Sequence, residues 1–120
     1  LQTLAKNGWR FVVVTNQSGV ARGMFTLEDV AAVNAKIDAL LRDYGVVIAG
    51  WYVSPDGPEG ESNTRKPAPG LVLEAAASYS FDPAQAIYVG DKASDLLLGR
   101  NLGGRDVLVR TGYGTKTEQE

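Results

Sequence analysis

Four short apolar runs punctuate the chain, and between them hydrophobic positions recur at three- and four-residue spacings. Phe11-Val12-Val13-Val14 is aromatic and β-branched without alternation, the pattern of a parallel strand buried on both faces. Val46 to Val53, Ala86-Ile87-Tyr88-Val89-Gly90 and Val107-Leu108-Val109 read as three further strands. A helix is predicted after Thr26, an N-cap residue followed by Glu28 and Asp29 in the first turn. Its apolar positions are Leu27, Val30, Ala31, Val33, Ile37, Leu40, Leu41 and Tyr44, and Gly45 stops it. A second helix carries Leu71, Leu73 and Ala75 to Ala77, with Pro69 in its first turn and the break at Asp82-Pro83. A third includes Asp95 to Leu98 and closes at Gly103-Gly104. Alternating strands and helices of this kind predict an α/β, Rossmann-like fold, a parallel sheet covered on both faces. The tail from Thr111 to Glu120 is polar and is expected to fray.

The strand ends carry the chemistry. The first strand stops in Thr15-Asn16-Gln17-Ser18-Gly19, a loop of hydroxyl, amide and glycine where open α/β sheets bind ligands. The loop from Ser54 to Thr64 runs into Arg65-Lys66-Pro67-Ala68-Pro69-Gly70, where Pro67 biases Lys66 toward an extended backbone and a stiff turn. The third strand ends directly in Asp91-Lys92, with Asp95 one turn on.

Composition narrows what these groups can do. A chain of 120 residues with 44% apolar and 22% charged side chains is about one globular domain. A formal net charge of -2 gives no electrostatic reason to expect nucleic acid or an anionic membrane as partner. No apolar run approaches the roughly 18 residues that span a bilayer, and no basic-then-apolar leader precedes the first strand, so a cytoplasmic monomer is expected. With neither Cys nor His, thiolate and imidazole sites are excluded, any metal is held by oxygen, and catalysis is carboxylate chemistry.

A hydroxyl, an amide, two cations and two carboxylates at the tips of parallel strands suit a phosphate group beside a hard divalent cation, because Mg2+ takes carboxylate oxygens and shares its shell with phosphate. Each piece also has a plainer reading. Thr15-Asn16 could be a simple turn, Arg65-Lys66 a solvated pair, Asp91 an N-cap and Asp95 a first-turn acid. It is their order along the chain that favours the phosphate site.

Over nearly its whole length the chain resembles the haloacid dehalogenase (HAD) superfamily of phosphohydrolases. Val13-Val14-Thr15-Asn16-Gln17-Ser18-Gly19-Val20-Ala21-Arg22-Gly23, Arg65-Lys66-Pro67-Ala68-Pro69-Gly70 and Val89-Gly90-Asp91-Lys92-Ala93-Ser94-Asp95 look like its second, third and fourth motifs. Their wording is most similar to the branch containing the histidinol-phosphate and D-glycero-D-manno-heptose-1,7-bisphosphate phosphatases. The resemblance implies a three-layer α/β/α fold and hydrolysis of a phosphate monoester of a small metabolite such as a sugar phosphate. By the same resemblance Thr15 and Asn16 bind the phosphoryl group or substrate, Lys66 holds the phosphate, and Arg65 grips the substrate. Asp91 ligates Mg2+, Lys92 lies at the substrate, and Asp95 supports the acidic loop. The first strand and the next helix lie too close in sequence for an inserted cap, which leaves substrate selection to short loops around Arg22 and Ser54 to Arg65.

The sequence departs from the family twice. The first motif, a strand ending Asp-x-Asp-Gly-Thr that supplies the nucleophile and the acid/base aspartate, is not among these residues. In the family that strand is central, between the strands at Phe11 and Ile87, and Leu1, Leu4 and Ala5 before Gly8 look like the end of a helix. The expectation is therefore a single HAD-like domain whose N-terminal strand lies upstream, the segment alone being inactive. The alternative is a non-catalytic phospholigand-binding domain that lost its nucleophile. The second departure is the loop Ser54 to Thr64: Ser54, Asp56, Gly57, Ser62 and Thr64 stand where many relatives carry Cys and His, so no structural zinc is expected.

Overall fold

The computed structural model describes residues 1–120, which form two compact units, residues 1–60 and 61–120. The strands form two two-stranded sheets, each a parallel pair. No helix is long and apolar enough to cross a membrane.

In the first unit, helix α1 (Gln2–Lys6) leads to strand β1 (Phe11–Asn16), a single helical turn α2 (Ser18–Ala21), helix α3 (Leu27–Arg42) and strand β2 (Ile48–Ser54). β1 lies beside β2 with Val12 opposite Gly50 and Asn16 opposite Ser54, and the ladder is irregular between Phe11 and Val12. Thr26 caps α3 as its sequence predicts. Its hydroxyl accepts the Asp29 N–H at 3.1 Å, and the Asp29 carboxylate accepts the Thr26 N–H at 2.9 Å, a reciprocal capping box. The core of this unit is Val30, Val46 and Ile48 with the fully buried Ser54.

Three expectations change here. Every residue of β1 is half-buried and none is fully buried, because β1 is paired along one edge only. The stretch after Val14 is not simply a loop: the strand runs on to Asn16, the Gln17 N–H continues the ladder to the Ser54 carbonyl at 2.8 Å, and α2 follows. Gly19 in α2 lies so close to the Phe25 ring that a side chain there would overlap it. The less exposed side of α3 runs through Val30, Asn34, Asp38 and Leu41. Arg42 Nε donates to Asp38 at 3.0 Å, and this bond holds the Asp38 carboxyl below its usual range. The row Val33, Ile37, Leu40 and Tyr44 is consequently exposed rather than packed on the sheet.

In the second unit, helix α4 (Gly70–Tyr79) and a 3-10 turn at Pro83–Gln85 precede strand β3 (Ile87–Gly90), helix α5 (Ala93–Asn101), strand β4 (Arg105–Leu108) and helix α6 (Gly114–Glu118). β3, α5 and β4 form a βαβ unit, with Val89 opposite Val107 and Gly90 opposite Leu108. Gly99 of α5 and Gly104 both abut Tyr88, whose hydroxyl donates to the Pro83 carbonyl at 2.8 Å. The buried residues are Leu71, Val72, Ala75, Leu98, Gly99 and Gly114. The Asp82 carboxylate caps the 3-10 turn through the Ala84 N–H at 2.9 Å, so the break expected at Asp82-Pro83 is a capped turn.

The tail does not fray. Arg110 grips Glu118 with two parallel bonds of 3.0 Å, and the Thr115 hydroxyl donates to the Arg110 carbonyl at 3.2 Å. These bonds, together with those to Asp91 described below, order a five-residue helix that propensity alone would leave unformed.

Candidate functional site

The second unit gathers three of the charged groups singled out by sequence, and Asp95 organises them. β3 ends at Gly90, and the chain turns through Asp91 and Lys92 into α5. Asp95, three residues past the N-cap Lys92, reaches back with Oδ2 to accept the Lys92 N–H at 3.1 Å and the Asp91 N–H at 3.2 Å. This satisfies donors that a helix start leaves open and places a carboxylate at the positive end of the helix dipole. Asp95 Oδ1 accepts a hydrogen bond from Lys66 Nζ at 2.6 Å. The two side chains are only 13% and 14% exposed, so the pair is far less screened than a surface ion pair. Gly90 permits this arrangement, since a Cβ there would run into the Asp95 carboxylate.

Lys66 is delivered by a tightly bonded turn. Ser62 Oγ accepts the N–H groups of Thr64 at 3.2 Å and Arg65 at 3.0 Å, and the Asn63 carbonyl accepts the Gly70 N–H at 2.7 Å. The Arg65 carbonyl accepts the Ala68 N–H at 2.8 Å, so Arg65 and Lys66 sit in a structured loop ahead of α4. This hydroxyl-centred turn stands where the zinc ligands of many relatives were expected, and Ser54, one of the positions weighed there, is the last residue of β2.

Asp91 does not cap α5; that position is Lys92. Its Oδ2 accepts the backbone N–H of Tyr113 at 2.9 Å, and its carbonyl accepts the Thr117 hydroxyl at 2.7 Å. Lys92 Nζ lies 4.6 Å from the centre of the Tyr113 ring, a cation–π contact. Gly112, with φ +58°, brings the chain so close to Asp91 that a Cβ would meet its Oδ2. Tyr113 and Thr117 escaped the sequence reading because the tail is polar, although Thr111-Gly112-Tyr113-Gly114 carries two glycines that mark a turn.

The first unit holds the other candidates. Thr15 and Asn16 are the last residues of β1, opposite Val53 and Ser54. Gln17 Nε2 donates to the Thr15 hydroxyl oxygen at 3.0 Å, which leaves the Thr15 proton available to another acceptor. Arg22 is exposed at the C-cap of α2.

The donor set fits part of a Mg2+ shell. Both oxygens of Asp95 are committed to N–H groups and Lys66, whereas Asp91 Oδ1 has no protein partner and offers one hard carboxylate oxygen. No group of three acidic side chains gathers in the structure. One carboxylate is within the range by which proteins hold Mg2+, since phosphate and water commonly supply the remaining oxygens.

The HAD-hydrolase-like family matches residues 63–120, the segment that carries Lys66, Asp91 and Asp95. The chain is 41% identical to the D-glycero-beta-D-manno-heptose-1,7-bisphosphate 7-phosphatase of Haemophilus ducreyi, covering all of this chain and 70% of that protein. It is 42% identical to the Yersinia pestis enzyme of the same name, covering 98% of this chain and 66% of the relative. Among solved structures, the D,D-heptose 1,7-bisphosphate phosphatase of Bordetella bronchiseptica, complexed with magnesium and phosphate, superposes with a TM-score of 0.90 at 36% identity. That match covers 98% of this chain and 66% of the other, so the chain spans about two thirds of the length of the proteins it matches. With strands and helices in the order its motifs require, the chain belongs to the haloacid dehalogenase superfamily of phosphatases, in the heptose-bisphosphate branch.

Proposed function

We propose that the protein is a Mg2+-dependent phosphatase that hydrolyses a phosphate monoester of a small sugar phosphate of the heptose-bisphosphate type. The observation that carries this reading is the double engagement of Asp95. It ties the Lys66 ammonium to the backbone that presents Asp91, so the phosphate-binding cation and the metal-binding carboxylate are parts of one bonded unit.

Each residue then has a job set by its chemistry. Lys66 attracts a phosphoryl oxygen while Asp95 holds its ammonium in place. The Thr15 hydroxyl and the Asn16 amide donate to the phosphoryl group or substrate. Arg65, Arg22 and Lys92 bind the remainder of an anionic substrate, Arg through its planar fork and Lys92 as a point charge steadied on Tyr113. Asp91 holds Mg2+, which when bound offsets charge on the phosphoryl oxygens. The nucleophilic carboxylate, which forms an aspartyl-phosphate, is supplied by a segment of the same HAD-like domain ahead of Leu1. The greater length of the relatives supports such a segment. We place the enzyme in the cytoplasm, because a phosphorylated sugar is charged and does not cross membranes unaided.

The test is phosphate release by the full-length protein from a panel of sugar phosphates, with and without Mg2+. Turnover that needs the metal and favours a sugar bisphosphate is expected. Phosphate binding without turnover on any member of the panel would replace the enzyme with a binding domain.

A further inference from the structure

We propose that Thr117 is a positioning residue for Asp91, and that the turn from Gly112 to Thr117 is a clasp that fixes the one carboxylate of the fourth motif available to a metal. The inference rests on the Mg2+-dependent reading above.

Asp91 is engaged at three of its polar groups. Its N–H is taken by Asp95, its carbonyl by the Thr117 hydroxyl at 2.7 Å, and its Oδ2 by the Tyr113 N–H at 2.9 Å. Two of these three bonds come from residues 22 and 26 positions further on. A bond from an N–H to an ionised carboxylate is charge-assisted and sets the rotamer. The Thr117 bond fixes the peptide plane from which that rotamer springs. Oδ1 alone is left without a protein partner, so the clasp selects which oxygen Asp91 offers.

Thr117 is not the sole anchor of its helix: α6 is also held by the paired Arg110–Glu118 bonds and by Thr115 to the Arg110 carbonyl. The Thr117 hydroxyl, by contrast, bonds to the carbonyl of Asp91. Partners that orient a metal ligand typically change affinity by about 10- to 100-fold when removed. A lost bond to a carbonyl falls at the low end of that range.

The experiment titrates the full-length protein with Mg2+ alone, by calorimetry, and measures the thermal midpoint without metal. Thr117→Val keeps the shape and removes the donor, and Thr117→Ser restores it. The account expects Thr117→Val to weaken Mg2+ binding about tenfold and to raise the Mg2+ concentration for half-maximal activity more than it lowers kcat, while Thr117→Ser stays close to the parent protein. Tyr88→Phe removes the hydrogen bond to the Pro83 carbonyl without touching Asp91 or α6, and it is expected to lower the thermal midpoint while leaving Mg2+ affinity unchanged. Equal Mg2+ affinity in the parent protein and Thr117→Val overturns the proposal, as does an equal loss of affinity in Tyr88→Phe. Absence of Mg2+ binding by the parent protein overturns the functional reading itself.

Discussion

Lys66 and Asp95, 29 positions apart in the chain, meet at 2.6 Å with both side chains mostly buried. The same carboxylate also closes the turn through Asp91 and Lys92. One side chain therefore serves the ion pair, the helix start and the loop that carries Asp91 together, and its replacement should disturb all three.

Asp95→Asn is the direct probe. An asparagine has one acceptor oxygen, which can serve the backbone N–H pair or Lys66 but not both, and its amide would face another donor. Breaking a largely buried ion pair from one side costs about 3 kcal/mol. Urea unfolding should register a loss of that order, and Mg2+-dependent phosphate release should fall by about a hundredfold as Lys66 and Asp91 lose their common support. Unchanged stability would mean that Lys66 finds another partner at no cost.

Ser80 offers a prediction of the opposite sign. It follows α4 in the left-handed region, with φ 55° and ψ 53°, and the Phe81 N–H bonds back to the Ala76 carbonyl at 3.3 Å. This is the helix-ending geometry in which glycine usually stands. Ser80→Gly relieves the Cβ strain and gives back part of the gain as chain entropy, for a net stabilisation of about 0.5 kcal/mol. A rise in the urea midpoint with an unchanged slope is the expected signature.

Tyr88 makes stability fall at alkaline pH. Burial, and secondarily the Asp82 charge, raise its phenol above the ordinary value of 10.0. Below pH 10 both folded and unfolded chains keep the proton and no pH dependence arises from this group. Above it the unfolded chain releases the proton first, so stability is lost as pH climbs from the unfolded toward the folded pKa. Tyr88→Phe should flatten the stability curve in that range. At neutral pH it should cost about 1 kcal/mol for the hydrogen bond to the Pro83 carbonyl. Stability measured from pH 8 to 11 in both proteins checks the sign.

The elements were legible in the sequence where local chemistry specified them. The capping box at Thr26 and Asp29, the stops at Gly8 and Gly45, and the strands at Phe11 and Ile87 need only neighbouring residues to be recognised. What escaped was specified by partners far along the chain. Asp95 reads as a first-turn acid until Lys66 is placed against it, and Thr111 to Glu120 reads as a polar tail until Asp91 supplies acceptors for Tyr113 and Thr117. The exposed row on α3 was missed for a related reason. Hydrophobic period predicts which positions share a face, but the inner side here admits Asn34 and the Arg42-paired Asp38.

The most direct measurement is phosphate release from a sugar bisphosphate by the full-length protein and its Lys66→Met variant, each with and without Mg2+. The account predicts turnover that requires Mg2+ and falls by a factor on the order of a thousand when the Lys66 charge is removed. Turnover that ignores the metal, or that survives the loss of Lys66, would contradict it.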